Sequence, residues 1–245
     1  VVPSTAPKSK VAATRRLGAD VIVHGQSFEE ARVHADGLAR ENDWRFLHAF
    51  DDVDVIAGQG TVALEILEHR PDVVVVPIGG GGLAAGMGLV LREHGVSMVG
   101  VQVRGVDAMR RSLVGELQGF HPRMTIADGT RVAQPGILTR EICGEVLDDI
   151  VTVDEEDVRR AIVRLATMDN IVTEGAGALA AAALERIPGR RKLAIVSGGN
   201  VDIAVLRQLL DQRESEKATP SMSGLFSRKR IDEFGEHVGF RGRVA

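Results

Sequence analysis

Four consecutive glycines, Gly79 to Gly82, follow the β-branched run Val73–Val76 and Pro77, and Leu83 opens a segment rich in helix-forming residues. The run is typical of a strand buried on both faces of a parallel sheet. A strand, a glycine turn and a helix together present bare backbone N–H groups at the positive end of the helix. Because a turn rarely needs four residues without Cβ, we expect close approach of this backbone to a ligand, and a phosphate group suits the position.

The next predicted strand constrains the identity of that ligand. The loop satisfies a loose dinucleotide-binding fingerprint, Gly79-x-Gly81-x-x-Ala84. That fingerprint expects a carboxylate at the end of the following strand, where it holds a ribose. The strand ends Gly100-Val101-Gln102-Val103 and offers none. The dinucleotide hypothesis loses support, and a nucleotide-binding protein of unrelated chemistry stays an alternative.

A second glycine-bearing turn, Ser197-Gly198-Gly199-Asn200, follows the last predicted strand, Lys192–Val196. Two interpretations are equally open. The turn connects a strand to a helix with Asn200 as N-cap, or it places the Ser197 hydroxyl against a heteroaromatic nitrogen. A further segment, Ala57–Thr61, by default indicates entry into a helix with its threonine as the cap.

Strands and helices alternate along most of the chain, which predicts an α/β fold with an open, mainly parallel sheet and helices on both faces. The predicted strands are Asp20–His24, Arg45–Phe50, Val73–Val76, Ser97–Val103, Ile150–Val153 and Lys192–Val196. The predicted helices include Pro7–Leu17, one capped by Ser27, one within Val53–His69 that begins irregularly, one from Leu83, one capped by Asp154, one after Glu174, and Val201–Leu210. Ligands of such sheets lie beyond the carboxyl ends of the strands, where both glycine-rich turns are expected.

Composition excludes several classes of function. The 245 residues suffice for one large or two small domains, and no apolar stretch is long enough to span a bilayer. The net charge of −4 comes from interspersed signs, so neither nucleic acid nor a membrane is expected as a partner. The single cysteine, Cys143, is expected to be a buried or half-buried hydrophobe, and the seven histidines show no metal-ligand spacing. No signal peptide is visible, so a cytoplasmic location is expected.

Seven motifs follow one another along the chain. They are Thr5-Ala6-Pro7-x-x-Lys10, Gly18-Ala19-Asp20-Val21, Phe50-Asp51-Asp52, Ala57-Gly58-Gln59-Gly60-Thr61, Pro77-x-Gly79-Gly80-Gly81-Gly82-Leu83, Glu174-Gly175-Ala176-Gly177-Ala178 and Ser197-Gly198-Gly199-Asn200. This ordered set resembles the threonine dehydratase and serine racemase group of pyridoxal-phosphate enzymes, which have the tryptophan-synthase-β fold, known as fold type II. The resemblance covers roughly residues 1 to 210 and is far more specific than any single motif.

The resemblance implies a cofactor, pyridoxal 5′-phosphate, and the residues that hold it. Backbone N–H groups would bind the cofactor phosphate, from Gly79, Gly80, Gly81, Gly82 and Leu83. Ser197 would form a hydrogen bond at the pyridine nitrogen, where a neutral hydroxyl makes the ring a weaker electron sink than a carboxylate does. Loss of a β-hydroxyl soon after the α-proton is then favoured. Glu174 would lie near the cofactor face, although a solvated carboxylate at a helix start is an equally good interpretation.

Two departures from the family pattern matter. The family's Schiff-base lysine lies in a Ser-Phe-Lys-x-Arg-Gly segment, and a Ser-Gly-Asn-His loop binds the substrate carboxylate. Neither segment is among these 245 residues, whose lysines are Lys8, Lys10, Lys192, Lys217 and Lys229. No catalytic residue is therefore assigned. The racemase-like members also hold a cation through a glutamate where this chain has Gln102, with Ala108 at the second acidic position, so we expect no metal site.

These observations lead to an expected domain order and function. Residues 1–50 are expected to be the remnant of a smaller α/β domain, residues 51–213 a large cofactor-binding domain, and residues 214–245 a flexible tail. The leading hypothesis is an ammonia-lyase that converts threonine or serine to a 2-oxo acid and ammonia, present here in an N-terminally truncated and inactive form. The alternatives are a non-catalytic module derived from the same fold, and a serine racemase-like activity in the full-length chain. A homo-oligomer is left open.

Overall fold

The computed structural model describes residues 1–218, with the side chains of Ser9 and of residues 213–218 left undescribed. The helices are α1 (Lys8–Arg16), α2 (Phe28–Glu41), α3 (Val53–Ile66), α4 (Gly82–Glu93), α5 (Ala108–Leu113), α6 (Ile137–Val146), α7 (Glu155–Arg164), α8 (Gly175–Ala183) and α9 (Ile203–Ala218). The strands are β1 (Val73–Pro77), β2 (Ser97–Val103), β3 (Asp149–Val153) and β4 (Lys192–Ala194). Single 3-10 or π turns lie at Leu67–His69, Asp128–Thr130, Leu165–Asp169 and Leu184–Arg186. The predicted flexible tail lies outside the described residues from residue 219 onward.

The four strands form one sheet in the order β3-β2-β1-β4, and every neighbouring pair is parallel. β1 lies in the interior, where Val73 is in register with Ser97 of β2 on one side and with Lys192 of β4 on the other. Each connection between consecutive strands carries at least one helix, as a parallel crossover requires. The predicted parallel α/β architecture is therefore confirmed.

Alternate residues of β1 face two separate hydrophobic clusters. Val73 and Val75 pack in one cluster with apolar residues of α7, α8 and α9. Val74 and Val76 pack in the other with apolar residues of α3, α4 and α6. Because successive side chains of a strand point to opposite faces, helices cover both faces of the sheet, as predicted. Burial of each valine contributes about 1.5–3 kcal/mol, so β1 is a firm base for the loop that follows it.

The predictions of two strands in the first 50 residues are wrong. Residues 20–24 form only an isolated parallel bridge between Val2 and Val23, and residues 45–50 form no strand. A strand needs neighbours for its backbone hydrogen bonds, and the described residues provide none for the second segment. Aromatic rings from this segment instead pack with Phe28. The domain boundary at residue 50 stays a prediction.

The start of α3 differs from the prediction. Asp52 caps the helix, since its Oδ1 accepts the N–H groups of Asp54 at 2.9 Å and Val55 at 3.2 Å. The segment Ala57–Thr61 therefore lies inside α3 and is not its entry. Gly60 of this segment allows close contact with α4, since a Cβ there would lie 3.0 Å from the backbone oxygen of Gly86.

The last helix also begins later than predicted. α9 starts at Ile203, and Asp202 Oδ1 accepts the N–H group of Ala204 at 2.9 Å. Asp202 is thus the capping residue, and the interpretation of Asn200 as N-cap is wrong. In the described part of the chain, no helix combines the length and apolar character that crossing a membrane requires.

Candidate cofactor site

The two glycine-rich turns follow neighbouring strands of the sheet. The glycine loop (Gly79–Gly82) follows β1, and the serine turn (Ser197–Asn200) follows β4, which pairs with β1. Parallel strands end at the same edge of a sheet, so both turns lie at the carboxyl edge, where open α/β sheets bind ligands. The turn Asp128–Thr130 packs against both Gly79 and Glu174. The structure therefore brings the predicted cofactor residues to one edge of the sheet.

The glycine loop lacks Cβ atoms for a reason that the sequence did not reveal. A Cβ at Gly80 would lie 2.4 Å from the Phe50 ring, and one at Gly81 would lie 2.5 Å from Met109 Cε. Gly81 also has a φ of 102°, a conformation that favours glycine. At these two positions the glycines permit packing against the chain's own side chains. This packing is a second reason for the glycines, and the expected close approach to a ligand stays a prediction.

The N–H groups of the glycine loop have no protein partner. Gly80, Gly81 and Gly82 are buried, and no N–H group from Gly79 to Leu83 donates a hydrogen bond within the described residues. Such orphaned donors are rare in folded proteins, because each buried one costs about 1–3 kcal/mol. They also lie at the N-terminus of α4, whose dipole attracts an anion. The residues present fit a phosphate group.

The serine turn is anchored on the start of α8. Thr173 Oγ1 lies 3.1 Å from the backbone oxygen of Ser197 and 2.9 Å from that of Gly198, and the Glu174 N–H donates to Gly198 at 3.0 Å. A Cβ at Gly177 would lie 1.5 Å from the Ser197 backbone oxygen, so only glycine fits there. The half-buried Ser197 hydroxyl makes no hydrogen bond within the described residues. It is free to bind a ligand atom.

Lys10 of α1 joins two carboxylates beside this edge. Its Nζ lies 3.2 Å from Asp128 Oδ2 and 2.9 Å from Glu174 Oε2. The Glu174 contact is an ion pair outside hydrogen-bond geometry, since Oε2 is buried without a hydrogen-bond partner in the described structure. Glu174 is 14% exposed, so the alternative of a solvated carboxylate is not supported. Sequence reasoning missed the contact with Asp128 because 118 residues separate the partners.

The charge state of Lys10 follows from those neighbours. Burial alone would lower the pKa of Lys10, but attraction from the negative charges of Glu174 and Asp128, with the hydrogen bond to Asp128, outweighs burial and raises the pKa above its ordinary value. Lys10 is therefore an ammonium group at neutral pH. An ammonium has no lone pair, so Lys10 is not a nucleophile under those conditions.

Gln102 occupies the position at which the cation site was expected to be lost. It is fully buried, with Nε2 donating to the backbone oxygens of Ile78 at 3.3 Å and Val106 at 3.5 Å. Its Oε1 accepts the N–H group of Arg110 at 2.9 Å. The amide thus ties the end of β2 to α5. Among the described residues no His, Cys, Asp or Glu cluster is arranged to hold a metal ion, and loss of the cation site stays a prediction.

Cys143 lies directly behind the glycine loop. It is fully buried in α6, and its Sγ lies 3.8 Å from the backbone oxygen of Gly81. Burial raises the pKa of the thiol to about 12. The side chain is therefore a protonated, hydrophobic group, as the sequence predicts.

Two open cavities lie away from the predicted site. One of about 700 Å³ is bordered by α7, α8 and α9, and one of about 520 Å³ lies along α2. Neither is lined by a predicted cofactor residue. The cofactor assignment therefore rests on the unpaired polar groups at the sheet edge.

Comparison with known families and sequences points to the same cofactor. Residues 1–198 match the family model described as pyridoxal-phosphate dependent enzyme. The chain is 42% identical over 220 residues to the catabolic L-threonine dehydratase of Escherichia coli strain K12, covering 85% of this chain and 67% of that protein. It is 39% identical to the L-threonine ammonia-lyase of Thermotoga maritima, over 86% of this chain and 55% of that enzyme.

Solved structures show the same fold. Threonine deaminase isoform 2 from Solanum lycopersicum, in its processed form, superposes with a TM-score of 0.75 at 31% identity, covering 85% of this chain and 64% of that one. Maize serine racemase superposes with a TM-score of 0.77 at 28% identity, covering 89% of this chain and 70% of that one. The chain thus spans between about half and about two thirds of the length of most of these relatives.

Proposed function

Because the chain belongs to the family of pyridoxal-phosphate-dependent enzymes, in its threonine dehydratase and serine racemase group, we propose that it forms the cofactor-holding part of an ammonia-lyase acting on threonine or serine. The observation that carries this proposal is the set of buried N–H groups of the glycine loop that lack a protein partner. They occur in a chain 42% identical to a threonine dehydratase. Relatives of that name act on threonine, which makes a β-hydroxy amino acid the expected substrate.

Each site residue has a distinct role in this proposal. The N–H groups of the glycine loop and of Leu83 bind the phosphate at the positive end of α4. Ser197 offers its hydroxyl to the ring nitrogen, and Glu174 supplies a carboxylate beside the serine turn. When bound, the cofactor supplies the electron sink through which an amino acid loses its α-proton and β-hydroxyl. The Ser197 hydroxyl is neutral and tempers that sink, which favours early departure of the β-hydroxyl.

The chemistry also needs an amine and a base, and these 245 residues contain neither the Ser-Phe-Lys nor the Ser-Gly-Asn-His segment of the family. Lys10 does not replace the missing amine, because its ammonium is held between Asp128 and Glu174. We expect this polypeptide on its own to bind pyridoxal phosphate without a covalent link and to release no ammonia. Borohydride treatment followed by mass spectrometry checks this, and a modified lysine among the five would contradict it.

Binding of the phosphate group is tested by equilibrium dialysis. Pyridoxal phosphate should bind at least about tenfold more tightly than pyridoxal, because only the former has the dianion. Gly81→Ala should abolish that preference, since the new Cβ meets Met109. Gly95→Ala is the matched control: Gly95 also has a positive φ, lies just past the other end of α4, and has open space around its Cβ position. Equal affinities for the two ligands would overturn the proposal.

A racemase is the second candidate, because maize serine racemase superposes at a TM-score of 0.77. Chiral analysis of the products of a longer form of the protein, supplied with L-serine, separates the two. Pyruvate and ammonia indicate the lyase, whereas D-serine as the main product indicates the racemase. The fully buried Gln102 amide, which satisfies its own hydrogen bonds, favours the lyase over a cation-dependent racemase.

A further inference from the structure

We propose that His48 is a positioning residue for the glycine loop and makes the affinity of that loop for a phosphate group depend on pH. This inference rests on the proposed function, because it concerns the same phosphate site. His48 is half-buried on the segment between α2 and α3. The sequence assigned it no role, since its effect passes through two other residues.

The contacts of His48 fix the protonation of its ring. Nδ1 accepts the backbone N–H group of Asp51 at 2.9 Å and that of Phe50 at 3.3 Å. A nitrogen that accepts hydrogen bonds carries no proton, so the proton of the neutral ring is on Nε2. If Nδ1 were protonated, its N–H group would face the backbone N–H groups of Phe50 and Asp51 and could not accept a hydrogen bond from them. The contact therefore holds only while the ring is neutral.

The two residues that His48 holds both contact the glycine loop. The Phe50 ring fills the space in front of Gly80, where a Cβ would lie 2.4 Å from it. The Asp51 carboxylate accepts the N–H group of Thr139 at 3.0 Å, and Thr139 Oγ1 donates to the backbone oxygen of Gly80 at 2.7 Å. His48 is thus connected to Gly80 through the Phe50 ring and through the Asp51 carboxylate. The peptide group that follows Gly80 carries the Gly81 N–H, which is free for phosphate.

The surroundings of His48 set the direction of its titration. The Phe50 and Phe46 rings lie at centroid distances of 4.6 Å and 6.0 Å. Burial lowers the pKa of His48 and the charge of Arg32 lowers it further, while Asp51 and Asp52 raise it, with a net decrease. The folded chain therefore takes up this proton less readily than the unfolded chain. The stabilisation from the contact is complete above about pH 6.5 and declines as the pH falls through the lowered folded value.

The test compares three forms of the protein by equilibrium dialysis with pyridoxal phosphate, from about pH 5 to about pH 8. His48→Asn keeps an acceptor oxygen near the Nδ1 position but does not titrate, and His48→Ala removes the acceptor. We expect wild type and His48→Asn to bind equally at the upper limit. At the lower limit wild type should bind about fivefold more weakly than His48→Asn, and His48→Ala should be weak throughout. Pyridoxal phosphate itself changes protonation with pH, but it does so equally for every form of the protein. Its titration therefore cancels when wild type and His48→Asn are compared at the same pH.

The controls separate a failure of this inference from a failure of the proposed function. His69→Asn, a substitution at an exposed position, should follow the wild-type profile. Parallel profiles for wild type and His48→Asn would overturn the role of His48 while leaving the phosphate site intact. No binding by any form would overturn the proposed function. Nitrogen NMR of the unliganded protein then still decides the His48 contact, because a proton on Nδ1 near pH 8 would contradict it.

Discussion

Residues 1–50 and the sheet-bearing residues 51–210 differ in how they are held together. Among the described side chains of the first region only Ala31 and Ala39 are buried, whereas Leu17 is 89% exposed and Trp44 62% exposed. In the second, two clusters of large apolar side chains cover both faces of the sheet. The difference shows that burial of apolar side chains within residues 51–210 stabilises the fold, and that the first region is attached to this core.

The first region is attached to the rest of the chain through a few contacts, most of which are polar. Lys10 contacts two carboxylates, Glu29 Oε1 accepts the Ala133 N–H at 3.4 Å, and the Phe50 segment packs on the glycine loop. Contacts of this kind contribute less than a buried core and open more easily.

Truncation of a core leucine should have the largest effect. Leu179 is fully buried in α8, so Leu179→Ala should lower the free energy of unfolding by about 3 kcal/mol through lost burial and a cavity. Leu17→Ala, in the first region, should change it by less than about 0.5 kcal/mol. Denaturant unfolding monitored by circular dichroism measures both. Similar losses would mean that the first region has a core of its own.

Amide hydrogen exchange should show the two regions opening separately. Amides of α2 should exchange at least about a hundredfold faster than those of α4, because little apolar surface is uncovered when the first region opens. Mass spectrometry of peptides after timed exchange gives the rates. Uniform protection across the chain would show that the regions unfold as one unit.

Glycine substitutions should sharpen the comparison within the second region. Gly86→Ala should destabilise the protein by about 2 kcal/mol, because the new Cβ would lie 2.1 Å from the Ile56 backbone oxygen in α3. Gly58→Ala is the matched control in α3, since its Cβ position is open. It should stabilise the protein by up to about 1 kcal/mol through helix propensity. A neutral Gly86→Ala would show that α3 and α4 can separate at little cost.

Removing the Lys10 charge should have the smallest effect. Lys10→Met should lower stability by about 1 kcal/mol at neutral pH, because two carboxylates lose their cation. The pKa of Lys10 is raised by those carboxylates, so its contribution is complete below about pH 10.4 and is lost as the pH rises through the folded value. Lys8→Met, which removes the exposed lysine on the same helix, is the control. Thermal unfolding at neutral and strongly basic pH measures the difference, and equal shifts for both variants would contradict it.

The sequence predicted the central unit well because its signals are local. The run Val73–Val76, bounded by proline and glycine, predicted β1, the turn and α4 in the correct order. The alternation of elements predicted a parallel sheet with two covered faces. The failures occurred where the outcome depends on partners elsewhere in the chain: residues 45–50 were predicted as a strand, but the described residues offer them no neighbouring strand to pair with.

The site was predicted in part for the same reason. Motif order identified the glycine loop, Glu174 and Ser197, which the structure brings to one edge of the sheet. It did not reveal that Phe50 and Met109 occupy the space in front of the glycines, or that Lys10 contacts Glu174. Such contacts join residues far apart in the chain and leave no periodic pattern to detect. The role of each site residue as a cofactor ligand stays a prediction until a ligand is bound.

The position of Cys143 makes the reactivity of its thiol a measure of how often the glycine loop opens. Its Sγ is fully buried beside Gly81, and its thiol pKa of about 12 keeps it unreactive at ordinary pH. Because no other sulfhydryl exists in the sequence, alkylation of the native chain proceeds only as fast as α6 and the loop separate. A maleimide added with and without pyridoxal phosphate would therefore time this opening directly.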